Sequence, residues 1–185
     1  MYYKGQAKLY YLYMMSDGEV SGNEKMLFNL ICKELNMGAD DQKCVIDDCK
    51  EIVKKEKMRC IDVLKKNAEE SCVYGIFDLN LCKYDSDKEK AAILWNLINL
   101  GYADTHFTSE EKDVVNFLKS YFEVSDSIYK EMIHTAETCL SLEKHRKWAE
   151  KLPESDYKTE KMKQIKHNLK SVHRMISTTI TELDF

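Results

Sequence analysis

A chain of 185 residues with one Pro and six Gly has too few breakers for the repeated turns of a β-sandwich. Its 44% hydrophobic and 32% charged residues instead suit an all-α bundle with Lys/Glu-rich outer faces. The net charge of −4 is uneven: residues 1–134 carry 18 Lys+Arg against 24 Asp+Glu, and residues 135–185 carry 10 against 8. The acidic balance of the larger part argues against a primary nucleic-acid role.

In chain order, the apolar spacing predicts a helix over 6–16 with Leu9, Tyr10 and Tyr13 inward, stopped at Asp17-Gly18. Ser21 caps the next helix, and Glu24 closes a capping box. That helix carries Leu27, Leu30, Ile31 and Leu35 on one face and ends at Gly38. A helix from Asp40 turns Cys44, Cys49, Ile52 and Val53 inward, and residues 58–70 form another through Ile61, Leu64 and Ala68. Residues 71–84 fit either a buried helix or an irregular crossing. Ser86 and Glu89 open a helix with Ala91, Leu94, Trp95 and Ile98 on its stripe, ending near Gly101. Thr108 and Glu111 then repeat the box ahead of Val114, Phe117, Leu118, Tyr121 and Phe122. A long helix runs from Asp126 to about Lys151, where Pro153 breaks the chain. The last helix, about 155–183, places Met162, Ile165, Leu169, Val172 and Ile176 in a narrow seam, which predicts an antiparallel hairpin with 126–151.

One segment occurs twice. Asp17 through Glu24 aligns without gaps on Asp104 through Glu111, 87 residues later, and the register continues from Asn29 to Asn116 and from Leu35 to Phe122. Two copies of one helix–acidic loop–helix unit, packed as a pseudo-two-fold pair, are the expectation. The second copy is altered, with Thr105 for Gly18 and His106 for Glu19.

The loop acids have two readings. Asp17, Glu19 and Glu24 in the first loop, and Asp104, Glu110 and Glu111 in the second, offer oxygen ligands of the kind that Ca²⁺ or Mg²⁺ takes, although the spacing is not that of an EF-hand. Equally, a Glu three residues after Ser21 or Thr108 completes a helix cap worth roughly 0.5–2 kcal/mol, and Asp17 and Asp104 suit turns.

Tyr13-Met14-Met15-Ser16-Asp17-Gly18-Glu19-Val20-Ser21-Gly22-Asn23-Glu24 resembles the helix–A-D-G-x-[aliphatic]-[ST]-x-x-E signature of the tellurite-resistance TerB-like family, whose domain also begins a membrane-anchored DnaJ-like co-chaperone. Leu100-Gly101-Tyr102-Ala103-Asp104 through Glu111 looks like its second copy, and the likeness spans about residues 6–133. Ser16 stands where the family often has Ala. The resemblance implies an all-α pseudo-two-fold bundle with an acidic cation site, which would use Asp17, Glu24, Asp104 and Glu111. It also implies a link to stress response at membranes or to phage defence.

Other chemistry has less support. Glu131-Met132-Ile133-His134 matches half of a di-iron pattern, but no second Glu-x-x-His exists. No Gly-x-Ser-x-Gly elbow or phosphate-binding glycine loop is present, so the expectation is a non-enzyme. Seven cysteines, an odd number without a C-x-x-C pair, predict reduced thiols. No signal-peptide pattern and no apolar run of about 20 residues appear, and a cytoplasmic protein is expected. Lys158, Lys161, Lys163, Lys166, Lys170 and Arg174 form a basic stripe, either a solvated face or a peripheral contact with anionic lipid. The tyrosines Tyr2, Tyr3, Tyr10, Tyr11 and Tyr13 read as core edge or partner surface. The resulting expectation is a TerB-like bundle over 1–133 and a helical extension over 134–185. It would act as a binding or sensing module that takes a divalent cation, or as a metal-free protein-interaction scaffold working through its last helix.

Overall fold

The computed structural model describes residues 2–56, 59–70, 86–103 and 107–183. These residues form helices α1 (Tyr2–Met14), α2 (Gly22–Glu34), α3 (Ala39–Glu56), α4 (Cys60–Glu70), α5 (Asp87–Gly101), α6 (Ser109–Tyr121), α7 (Asp126–Glu150) and α8 (Asp156–Thr181), with no strand among them. The all-α expectation therefore holds. The ambiguous segment 71–84 lies outside the described residues. Two compact units are present, residues 1–124 and residues 125–185.

In the first unit α1 is central and touches α2, α3, α5 and α6, while α4 lies on α6. Its sequence explains the placement: Leu9, Tyr10, Leu12 and Tyr13 are fully buried, so the helix is apolar nearly all round. From α5, Ile93, Leu94, Leu97 and Ile98 complete the core. Two thiols tie neighbouring helices to α1: Cys60 Sγ donates to the Leu12 carbonyl at 2.8 Å, and Cys49 Sγ to the Lys8 carbonyl at 3.7 Å.

Helices α2 and α6 share local detail at their ends. Both ends of α2 shift by 87 residues onto those of α6, and the starts of α3 and α7 differ by the same 87. Ser21 and Thr108 each accept a hydrogen bond from the N–H three residues on, and Glu24 and Glu111 each accept one from the cap backbone. At the other end, Asn36 (φ 56°) and Glu123 (φ 58°) both take the left-handed conformation. Met37 N–H donates to the Cys32 carbonyl and Val124 N–H to that of Lys119, which makes both exits Schellman turns. Helix α2 is therefore ended by Asn36 and not by Gly38, whose carbonyl instead accepts the Gln42 N–H in the first turn of α3.

Two inward assignments are corrected. Leu30 is 50% exposed, because the buried stripe of α2 runs through Glu24, Phe28, Ile31 and Cys32, and Leu30 falls on the opposite side. Cys44 is exposed, and Val45 and Cys49 form the inner edge of α3 instead.

In the second unit α7 and α8 form the antiparallel hairpin that the short link near Pro153 predicts. Thr179 donates to Glu131 Oε1 at 2.9 Å, and Cys139 Sγ lies 3.9 Å from His173 Nε2, so early α7 meets late α8. Ile165, Ile176, Met132 and Ala136 are buried, while Met162, Leu169 and Val172 are half-buried. No described helix is long and apolar enough to cross a membrane.

Candidate functional site

Helices α2 and α6 both begin with a capping box, and in each box the glutamate is buried. Glu24 is 2% exposed and Glu111 is 4% exposed. Glu24 Oε2 accepts the Ser21 N–H at 2.7 Å, and Ser21 Oγ accepts the Glu24 N–H at 3.2 Å. Glu111 Oε2 accepts both the Thr108 N–H and the Thr108 hydroxyl at 2.8 Å. A carboxylate that caps a helix normally lies at the surface, where water shares its charge. Here the helix starts face inward, so both charges enter the protein.

The two boxes converge. Burial pushes the Glu111 carboxyl up to about 7, against the lowering effect of its Thr108 bonds, and the negative charges of Asp17 and Glu24 push it further the same way. Acids of the first loop thus lie within the field of the glutamate that begins the second copy's helix. Asp17 itself is exposed, and its Oδ1 accepts the Glu19 N–H at 3.1 Å, a local turn that Gly18 completes at φ 90°. Asp104 lies outside the described residues, as does His106.

Tyr13 is a member that sequence reading assigned to the core or to a partner surface. Its hydroxyl is buried. Burial first, then the Glu111 and Glu24 charges and a hydrogen bond with Glu111, hold its pKa well above the usual tyrosine value. The oxygen occupies the space where a Cβ on Gly101 would stand, and Phe107 ring carbons lie 2.7 and 2.9 Å from that same point. Gly101, the last residue of α5, therefore belongs to the site as an open space.

The chemistry of the junction is all oxygen, which suits a hard cation. Among the described residues no group of three or more His, Cys, Asp or Glu side chains is gathered to hold a metal ion. Ca²⁺ takes six to eight oxygens, waters included, whereas Mg²⁺ keeps several waters and uses one or two carboxylates.

No family model matches the chain, and neither does any curated protein or solved structure.

Other polar side chains gather in the second unit. Cys139 and His173 are neighbours, but burial and then Glu143 push the thiol up, away from the thiolate a nucleophile requires. His134 is exposed, on an open groove of about 460 Å³ shared with Glu131, Val172 and Met175, and the Glu131 carboxylate is engaged by Thr179. On α8, Lys163, Lys166, Lys170 and Arg174 are exposed, while Lys158 pairs with Glu154.

Proposed function

We propose that this chain is a non-enzymatic, TerB-like binding module in which two helix–acidic loop–helix units form a pseudo-two-fold pair. The junction of their loops is the ligand site, and the ligand is a hydrated divalent cation of the Ca²⁺ or Mg²⁺ class, with Mg²⁺ the better fit. One observation carries the reading: beyond the effect of burial, the charges of Asp17 and Glu24 also raise the Glu111 carboxyl, so acids of both copies share one field. A cation would relieve that repulsion. The pair relation is supported by the 87-residue offset of α2 and α6, by their matching Schellman exits, and by crosswise contacts of α1 with α6 and of α2 with α5. A role in stress response such as tellurite resistance follows from the resemblance alone, and a cytoplasmic location from the cysteine usage and the missing signal-peptide pattern.

Calorimetric titration with Ca²⁺, Mg²⁺, Mn²⁺ and Zn²⁺ tests the site. Mg²⁺ is expected to bind, and Asp17→Asn to weaken it, since Asp17 is exposed and its loss leaves both caps in place. Absence of binding by every cation would remove the metal reading.

A second reading, a metal-free protein-interaction scaffold, rests on the second unit. Trp148, Tyr157 and Met175 there are 50%, 62% and 65% exposed, and large apolar side chains of this kind anchor partners. Proximity labelling in cells, with Met175→Lys as comparison, tests it. An unchanged set of labelled proteins would count against α8 as the contact element.

A further inference from the structure

Several exposed helix faces of this protein pair their cations with acids. Lys4 meets Asp41 at 2.6 Å, Lys8 meets Asp48 at 2.9 Å, Arg146 meets Glu143 at 2.8 Å, and Lys158 meets Glu154. The rest of α8 breaks that pattern. The chain holds 32 Asp+Glu in 185 residues, yet residues 161–181 hold none beside Lys161, Lys163, Lys166, Lys170 and Arg174. The last four are exposed, and none of them meets a carboxylate among the described residues. Steps of 3, 4 and 4 set them in one row along the helix, about 16 Å long at about 1.5 Å per residue. Like charges at this spacing weaken a helix, and interspersed acids would relieve them. The row keeps a single sign instead. The other side of α8 is taken, since Ile165 and Ile176 are buried, so the helix cannot turn its apolar seam to a partner without opening the hairpin.

We propose that this row is a docking surface for a bilayer carrying anionic lipid, held at headgroup level by charge alone. Three of the four cations are Lys, a point charge without the planar fork that reads phosphates and base edges bidentately. No Phe, Tyr or Trp occurs between Lys158 and Thr181, so bases find nothing to stack on. A straight row on one exposed helix face matches a plane better than a groove. Residues 1–134, with 18 Lys+Arg against 24 Asp+Glu, are repelled by the same lipid, which confines the attraction to this face. The loop acids take no part, so the proposal is independent of the cation reading.

Flotation of the intact chain with vesicles tests it, in EDTA so that no divalent cation bridges protein and headgroups. Vesicles of phosphatidylcholine alone are compared with vesicles that are about one-third phosphatidylserine. Binding to the mixed vesicles only is expected, and it should fall steeply as salt rises from about 0.05 to 0.5 M. At roughly fivefold per cation, Lys166→Gln with Lys170→Gln should lose about 25-fold in affinity. Its melting temperature should not fall, because like-charge repulsion is relieved. Lys54→Gln with Lys55→Gln makes the same change in net charge at the end of α3 and should keep binding. No binding to the mixed vesicles at low salt, equal binding to both kinds, or an equal loss in the two double variants overturns the proposal. So does binding of a short DNA or RNA duplex that Lys166→Gln with Lys170→Gln abolishes while vesicle binding persists.

Discussion

Asn36 and Glu123 hold the same left-handed backbone, φ 56° and 58°, at the exits of two helices whose other ends also match. Asparagine visits this region at small cost, whereas a long side chain with a Cβ pays roughly 1–2 kcal/mol. A glutamate at a helix C-terminus also opposes the helix dipole. Glu123→Gly should therefore stabilise the protein by about 0.5–1.5 kcal/mol, and Glu123→Asn by less. Denaturant midpoints would check this, with Glu123→Ala as the control that keeps the Cβ and should gain little.

The Tyr13 oxygen and the Gly101 backbone compete for one space. Gly101→Ala should cost about 1–3 kcal/mol, because its methyl group meets that oxygen and the Phe107 ring. In a Tyr13→Phe background the cost should be smaller, though not zero, since Phe107 remains in place. A double-mutant cycle measured by urea unfolding would reveal the coupling, and strict additivity would contradict the packing described.

A carboxyl held near 7 in the folded protein and near 4.5 in the unfolded chain favours folding in its protonated form. Its contribution is fully present below pH 4.5 and is lost as pH rises through about 7, the opposite of an ion-paired carboxylate. Glu111→Gln keeps an oxygen for the Thr108 cap and cannot titrate. The stability difference between wild type and Glu111→Gln should thus move against the wild type between pH 4.5 and 7. Melting temperatures across that range decide it, and a flat difference would place the carboxyl at an ordinary value.

The hairpin of α7 and α8 depends on two buried isoleucines. Ile176→Ala should cost about 2–5 kcal/mol of the second unit's stability, and Ile165→Ala a similar amount, as expected for emptied core positions. Leu169→Ala, at a half-buried position, should cost less. Amide hydrogen exchange, which reports each unit separately, is the suitable measurement.

Thiol reactivity should follow burial. Burial pushes Cys32 up to about 11, Cys49 to about 12 and Cys60 higher still, while Cys44 is exposed. Site-resolved mass spectrometry after a brief alkylation at pH 8 should find Cys44 modified well before the other three. Early modification of Cys60 would mean that α4 leaves α1 readily.

The two capping boxes are readable because their marks are local. A Ser or Thr followed three residues later by Glu needs only one turn of chain to form, and the apolar spacing after it is periodic. Leu30 was misplaced because it lies one residue from Ile31 and shares the spacing of its neighbours, while burial of Glu24 rotates the inner stripe away from it. Gly38 attracted the helix end because glycine is the usual exit residue, but Asn36 reached that conformation first. Half of the candidate site was legible, in Glu24 and Glu111 as caps. Their burial was not, since it depends on which way two helix starts face. Tyr13 was hidden for a related reason: an aromatic on an apolar face reads as core, and only Gly101, 88 residues away, shows that its oxygen has been given room.

That separation carries a kinetic consequence. The two capping boxes close rings of a few residues and can form in an otherwise unfolded chain, whereas the Tyr13–Gly101 contact must close most of the first unit. Helices α2 and α6 should gain structure before the junction exists. In rate measurements, Ser21→Ala and Thr108→Ala would then slow folding, while Gly101→Ala would mainly speed unfolding. The last contact to be made, and the first to be lost, would be the one that assembles the site.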